Sequence, residues 1–152
     1  MRLTLTRKGA VAFAMALLTL PVVAVSAETP EELFEIHCAA CHNTGGIGNP
    51  GLAPPLNRPV FWQALGEAAP DYLAGVMISG MAGKLEIQGQ MYIGLIMPPV
   101  ASTTDEELIE IGTWVLQALG ETESAMSQEL LDTARATRPS HADLRAMRPA
   151  VD

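Results

Sequence analysis

The sequence predicts an all-α domain, and three observations carry that prediction. Thr29-Pro30-Glu31-Glu32 and Thr104-Asp105-Glu106-Glu107 are both capping boxes, in which a threonine hydroxyl and a glutamate three residues on satisfy the open N–H groups at a helix start. Behind the second box, Leu108, Ile111, Gly112, Val115 and Leu119 recur at helical spacing, with Trp114 adjacent, until Gly120 stops the run. At the end of the first helix stands Cys38-Ala39-Ala40-Cys41-His42, the stretch around which the rest of the chain is arranged.

Two thiols three positions apart, followed at once by an imidazole, read as a covalent haem c attachment site. Each thiol adds across one porphyrin vinyl group, and a single turn of chain carries both along one haem edge. The next residue then offers a neutral imidazole to the iron, a common proximal ligand. A structural zinc site wants four nitrogen or sulfur ligands, whereas this chain has no third cysteine, and His37 and His141 supply no zinc spacing. A thioredoxin-like redox pair needs a βαβ pattern around it, which the sequence does not show. A plain disulfide stays open as a reading, but it leaves His42 without a role.

Residues 1–27 have the layout of a secretory signal peptide. Arg2, Arg7 and Lys8 precede an apolar run from Gly9 to Val25 broken by Pro21, and Val25-Ser26-Ala27 is a small-residue cleavage site. The alternative is an uncleaved anchor, since the run is near the lower limit for a membrane span; Pro21 and the triplet favour removal after Ala27. Residues 28–152 hold all seventeen acidic residues and six of the nine basic ones, a net charge of −11. That balance disfavours nucleic acid and anionic membrane surfaces and favours a partner with an electropositive face. Aromatic residues make up only 5% of the chain, so a porphyrin would supply much of the missing apolar bulk.

The first helix, opened by Thr29, carries Leu33, Phe34 and Ile36 into the cysteines and is expected to end about His42, with Phe34 and Cys38 sharing a face. His37 is expected to face solvent or to lie near a haem propionate. Residues 43–59, with four glycines and four prolines, form a loop. An iron-bound histidine usually donates its second ring N–H to a carbonyl or carboxylate, and the Pro54 carbonyl is the expected acceptor for His42; the alternative is that these prolines merely stiffen a turn. Short helices are expected over 60–67, with Phe61 and Trp62, and over 70–79, with Tyr72, Leu73, Val76 and Met77 on one side. Leu85 to Gln88 alternates, Gly89-Gln90 turns and Met91 to Ile93 returns, a small hairpin. Met97 is then the leading candidate for the sixth iron ligand. A thioether suits haem iron and raises its potential, and Pro98 and Pro99 stiffen the segment. Methionine is more often core filler, so Met77, Met81, Met91 and Met126 compete. Beyond Glu121, a helix is expected over 128–136 and Ser140 caps a shorter one. Arg135, Arg138, Arg145 and Arg148 lie there, in a segment read either as an appendage on the domain surface or as a docking element for a partner subunit. His141 has no context that supports iron ligation.

From Thr29 to Gly120 the chain resembles class I cytochrome c. The match rests on Phe34 with Cys38-x-x-Cys41-His42, on Pro54-Pro55-Leu56, on Met97-Pro98, and on the helix with Ile111, Trp114 and Val115. The resemblance implies the cytochrome c fold, helices wrapped around one haem attached covalently at Cys38 and Cys41. It also implies His42 and Met97 as axial ligands and a crossing of the helices that bear Phe34 and Trp114. Many members place a glycine four residues before that aromatic; here Pro30 stands there, which predicts a wider or shifted crossing. Because haem c is attached outside the cytoplasm in this family, the implied location is periplasmic, with no membrane insertion once residues 1–27 are removed. The implied organisation is a cytochrome domain over 28–120 followed by a helical extension over 121–152; the hairpin and extension resemble bacterial periplasmic members, including subunits or partners of dehydrogenases and terminal reductases. The implied task is one-electron transfer to or from a redox partner, without catalysis of its own. The rivals are a fixed haem subunit of a larger oxidoreductase and a ligand-binding haem protein with an open sixth site.

Overall fold

A computed structural model describes residues 27–151; the expected signal peptide, except for Ala27, lies outside the described residues. The first capping box forms as expected and starts helix α1 (Pro30–His37), with the Glu32 carboxylate accepting from the Thr29 N–H at 2.7 Å. The helix does not run through to His42. At Cys38 the backbone turns to φ −122°, and the chain resumes as one short turn, α2 (Ala39–His42), whose Cys41 and His42 N–H groups both point back to the Cys38 carbonyl.

Helices α3 (Pro59–Leu65) and α4 (Ala69–Ser79) follow near their expected places. The next stretch is a nested arm. Strand β1 (Met81–Ala82) pairs antiparallel with β4 (Ile96–Met97), placing Met81 opposite Met97, and between them β2 (Leu85–Ile87) pairs with β3 (Gln90–Tyr92). The β2–β3 hairpin turns at Gln88-Gly89, one residue earlier than expected, with both residues at positive φ (52° and 75°). Such a primed two-residue turn matches the right-handed twist of the strands, which a turn at Gly89-Gln90 would have cost a ladder pair to make. The β1–β4 pair had no signal in the sequence.

Helix α5 (Asp105–Trp114) begins at the second capping box and ends in a π turn over Val115–Leu119. It packs on α1, with the Phe34 and Trp114 ring centroids 4.9 Å apart. Pro30 lines a shallow surface pocket with Ile109, Thr113 and Trp114 of α5, and the two aromatics meet despite it.

The residues after Gly120 do more than lie on the surface. Helix α6 (Gln128–Thr137) packs along α4, and α7 (His141–Ala146) covers the α4–β1 junction. Leu131 and Leu144 are fully buried in the core that also holds Phe34 and Leu116. Leu144 seats on Gly75, where an added Cβ would lie 2.6 Å from the leucine Cδ2. Burying side chains of this size stabilises by roughly 1.5–3 kcal/mol each, so the segment is held by its own apolar contacts. Among the described residues, no helix is long and apolar enough to cross a membrane.

Candidate haem site

One cavity of about 340 Å³ is lined by residues of the Cys38–Leu56 stretch, of α3 and α4, and of the β1–β4 arm, and its wall is predominantly apolar. Cys38, Cys41, His42 and Met97 all line it. The sequence separates these groups widely; the fold brings all four to one space.

The His42 side is built locally. His42 is only 7% exposed, and its Nδ1–H donates to the Pro54 carbonyl at 2.8 Å. With Nδ1 committed as the donor, Nε2 keeps a lone pair for a metal. Burial lowers the histidine pKa below its ordinary value and so favours the neutral ring, against the smaller opposing pull of the Pro54 hydrogen bond. The loop that delivers Pro54 depends on Gly48. At φ +80° this residue donates to the His42 carbonyl, and a Cβ there would lie 2.5 Å from Pro55 N and 2.9 Å from Pro54 C. Composition marked the loop as glycine-rich, but which glycine admits the prolines is a tertiary fact that no local signal carries.

Cys38 is half-buried and Cys41 exposed, and the two thiols are not joined in a disulfide. Burial, with the neighbouring Cys41 adding to it, pushes the Cys38 thiol up to about 11. Two unpaired thiols on one turn of chain, Cys38 in surroundings that disfavour charge, stand beside an imidazole with a free ring nitrogen, and they fit thioether attachment and His ligation of a haem. Structural zinc wants four such ligands, and among the described residues no group of three or more His, Cys, Asp or Glu side chains is gathered to hold a metal ion.

Among the described methionines, three line the cavity: Met77, Met81 and Met97. Met91 lies outside its wall, and Met126 packs instead against Gly112. Met97 sits on β4 rather than in a loop, and its segment is pinned to the end of α4. Val100 N–H donates to the Met77 carbonyl at 2.9 Å, and Gly80, at φ +76°, would bring a Cβ to 2.5 Å from the Met97 carbonyl oxygen. His37 also reaches the cavity wall, with Nδ1 3.4 Å from Thr103 Oγ1. His141 does not; its Nε2–H donates to the Ser79 carbonyl at 3.1 Å. Arg58 and Arg148 complete the wall, and neither carries a sequence signal that would single it out.

Comparison with known proteins bears on this geometry. A family model described as cytochrome c oxidase, cbb3-type, subunit III matches residues 25–115. The chain is similar to a cytochrome c-552 of Thermus thermophilus, 32% identical over 107 residues, which span 70% of this chain and 71% of that protein. It is similar also to another Thermus thermophilus cytochrome c-552, 34% identical over 84 residues, 55% of this chain and 63% of its counterpart.

Proposed function

The chain belongs to the c-type cytochromes, in the family of the cbb3-type subunit III domain, and from that membership we propose how it carries electrons. Family membership makes covalently attached haem c the cofactor and electron transfer the task. The finer reading is a periplasmic one-electron carrier, exported by residues 1–27, with thioethers at Cys38 and Cys41 and with His42 and Met97 as axial ligands. The haem supplies the one-electron change between ferric and ferrous iron. The observation that carries the ligand assignment is the convergence of both thiols, the Pro54-locked imidazole and the Met97 thioether on one apolar cavity.

Each residue then has a physical task. Cys38 and Cys41 keep the cofactor without relying on packing. Pro54 fixes the ring plane of His42 and raises its basicity as a ligand. Met97 favours the ferrous state relative to a second imidazole, and the apolar wall disfavours the extra positive charge of the ferric state. His42 and Met97 together would hold the iron and leave no place on it for a substrate. A chain of net charge −11 over residues 28–152 meets an electropositive partner through a contact that weakens as salt rises.

A second reading has its own support: the subunit III description of the family model favours a chain held permanently within a larger oxidoreductase. Co-purification with larger chains from the native membrane or periplasm separates this from a diffusing carrier.

The test of the ligand assignment uses the chain matured in a host that attaches haem c. Wild type should retain haem through acid–organic extraction, show a far-red sulfur-to-iron band when ferric, and take up no carbon monoxide when ferrous. Met97→Ala should lose the band and bind carbon monoxide. An unchanged Met97→Ala spectrum would remove Met97 from the iron, and carbon monoxide uptake by wild type would favour a ligand-binding haem protein.

A further inference from the structure

We propose that Arg145 is a positioning residue for the sixth iron ligand, holding Met97 in place from outside the cavity through the backbone of residues 79–83. The inference rests on the Met97 reading above and goes beyond it by tying the strength of that ligation to the C-terminal segment.

Residues 79–83 lie between α7 and the Met97 segment, and both grip them. From α7, His141 Nε2–H donates to the Ser79 carbonyl at 3.1 Å, and Arg145 Nη1 donates to the Ala82 carbonyl. The Arg145 guanidinium also covers Gly83, where an added Cβ would lie 2.5 Å from Nη1 and 2.8 Å from Cζ. From the ligand segment, the Met97 carbonyl closes on Gly80, while Met97 and Ile96 pair with Met81 and Ala82. Met81, Ala82, Gly83 and Met97 all line the cavity, and Arg145 does not. Its influence on the cavity therefore passes through the main chain.

Strand β1 has little to hold it otherwise. It and β4 form a ladder of two residues each, well short of an ordinary strand. Gly80 and Gly83 bracket β1 at φ +76° and +115°, and glycine leaves such junctions free to move. A guanidinium on a carbonyl makes a charge-assisted hydrogen bond, stronger than a neutral one. This guanidinium is well rooted. Leu144, the residue before it, is fully buried, and the Ser140–Asp143 capping box closes the start of the helix. A donor anchored in the core thus steadies a strand pair that its own ladder does not secure.

The experiment uses the holoprotein with Arg145→Ala, Arg145→Lys and Gly83→Ala. Each is read by the ferric far-red band and by ferrous carbon monoxide uptake at rising pressure, below its denaturation midpoint, which is measured alongside. Wild type comes first. Without a far-red band, the Met97 reading fails and takes this proposal with it; with the band present, the role of Arg145 is tested alone. Carbon monoxide and the thioether compete for one position, so a weaker hold on Met97 raises the apparent affinity for carbon monoxide. Arg145→Ala should weaken the band and take up carbon monoxide at a pressure roughly tenfold or more below any at which wild type does so. Arg145→Lys keeps a donor for Ala82 and should regain part of the band. Gly83→Ala drives a Cβ into the guanidinium and should act in the same direction as Arg145→Ala. Its effect should shrink once residue 145 is already alanine, because the two changes break one contact. A merely structural Arg145 would lower the denaturation midpoint and leave band and carbon monoxide uptake as in wild type. That result would overturn the proposal, as would a lysine variant no better than alanine. Should Arg145→Ala fail to accumulate as folded protein, Gly83→Ala decides: a weakened band supports the proposal and an intact one overturns it.

Discussion

The two walls of the cavity are built in opposite ways. The His42 wall is a contiguous stretch, in which the ring, its Pro54 acceptor and the admitting Gly48 all lie within thirteen residues of one another. The Met97 wall is assembled from afar. It joins β1 to β4, rests on the end of α4 through Gly80 and the Val100–Met77 bond, and is backed by α7 from the C-terminal segment. His42 is buried and its ring hydrogen-bonded, whereas Met97 is half-buried on a two-residue strand. Rigidity therefore has two sources in one site. A short closed loop fixes one proposed ligand on its own, while the other inherits its position from the packing of several distant elements.

The heaviest loss expected from that contrast comes from α7. Leu144→Ala removes a fully buried side chain from its seat on Gly75 and should cost about 2–5 kcal/mol of stability, as large-to-small core changes do. Chemical denaturation of the holoprotein measures this. A loss well under about 1 kcal/mol would mean that α7 is peripheral and that the Met97 wall stands without it.

A matched pair of substitutions probes the two walls directly. Gly48 and Gly80 both have positive φ, and a Cβ at either would lie 2.5 Å from backbone, of Pro55 in one case and Met97 in the other. Backbone strain alone should cost each alanine variant roughly 1–3 kcal/mol. Their spectra should differ. Gly48→Ala displaces the Pro54 carbonyl from His42, which lowers the basicity of the imidazole and should raise the potential while the far-red band persists. Gly80→Ala pushes on the Met97 segment and should weaken that band and admit carbon monoxide. If both variants lose the band alike, the walls act as one unit and the contrast is wrong.

The same contrast explains what was legible in the sequence. Thr29 and Thr104 announced their helices because a capping box is a local device, complete within four residues. The Cys38–His42 stretch was legible for the same reason, and the hydrogen bond from His42 to Pro54 followed from what a ligating imidazole needs. The kink at Cys38 was hidden because helix propensity continues across it. The hairpin was legible but its turn lies one residue away from the expected place, since Gln88 carries no mark of its positive φ. The Met81–Met97 pairing, the seat of Leu144 on Gly75 and the hydrogen bond from Arg145 to Ala82 were not readable at all. Each joins residues far apart in sequence, and only the closed core selects them.

The mildest effect lies at the outer edge of the same assembly, where α6 is tied to α5. Arg135 and Gln128 both donate to the Asp105 carboxylate, from Arg135 Nη1 and Gln128 Nε2 at 2.7 Å each. These hydrogen bonds, that from Arg135 foremost, hold its pKa down at about 2 against an ordinary 3.8. A carboxylate whose folded pKa is depressed adds stability above its unfolded pKa and loses that contribution as pH falls through the folded value. Asp105→Asn should therefore be less stable than wild type at neutral pH, and the gap should narrow between about pH 4 and pH 2. The pair is open to solvent, so the gap should be small and shrink further with salt. Denaturation midpoints of the two proteins at about pH 7 and about pH 2 measure it. A gap that is the same at both would show that α6 is held by Leu131 and its apolar neighbours alone, and that charge contributes nothing to fastening the segment that supports the Met97 wall.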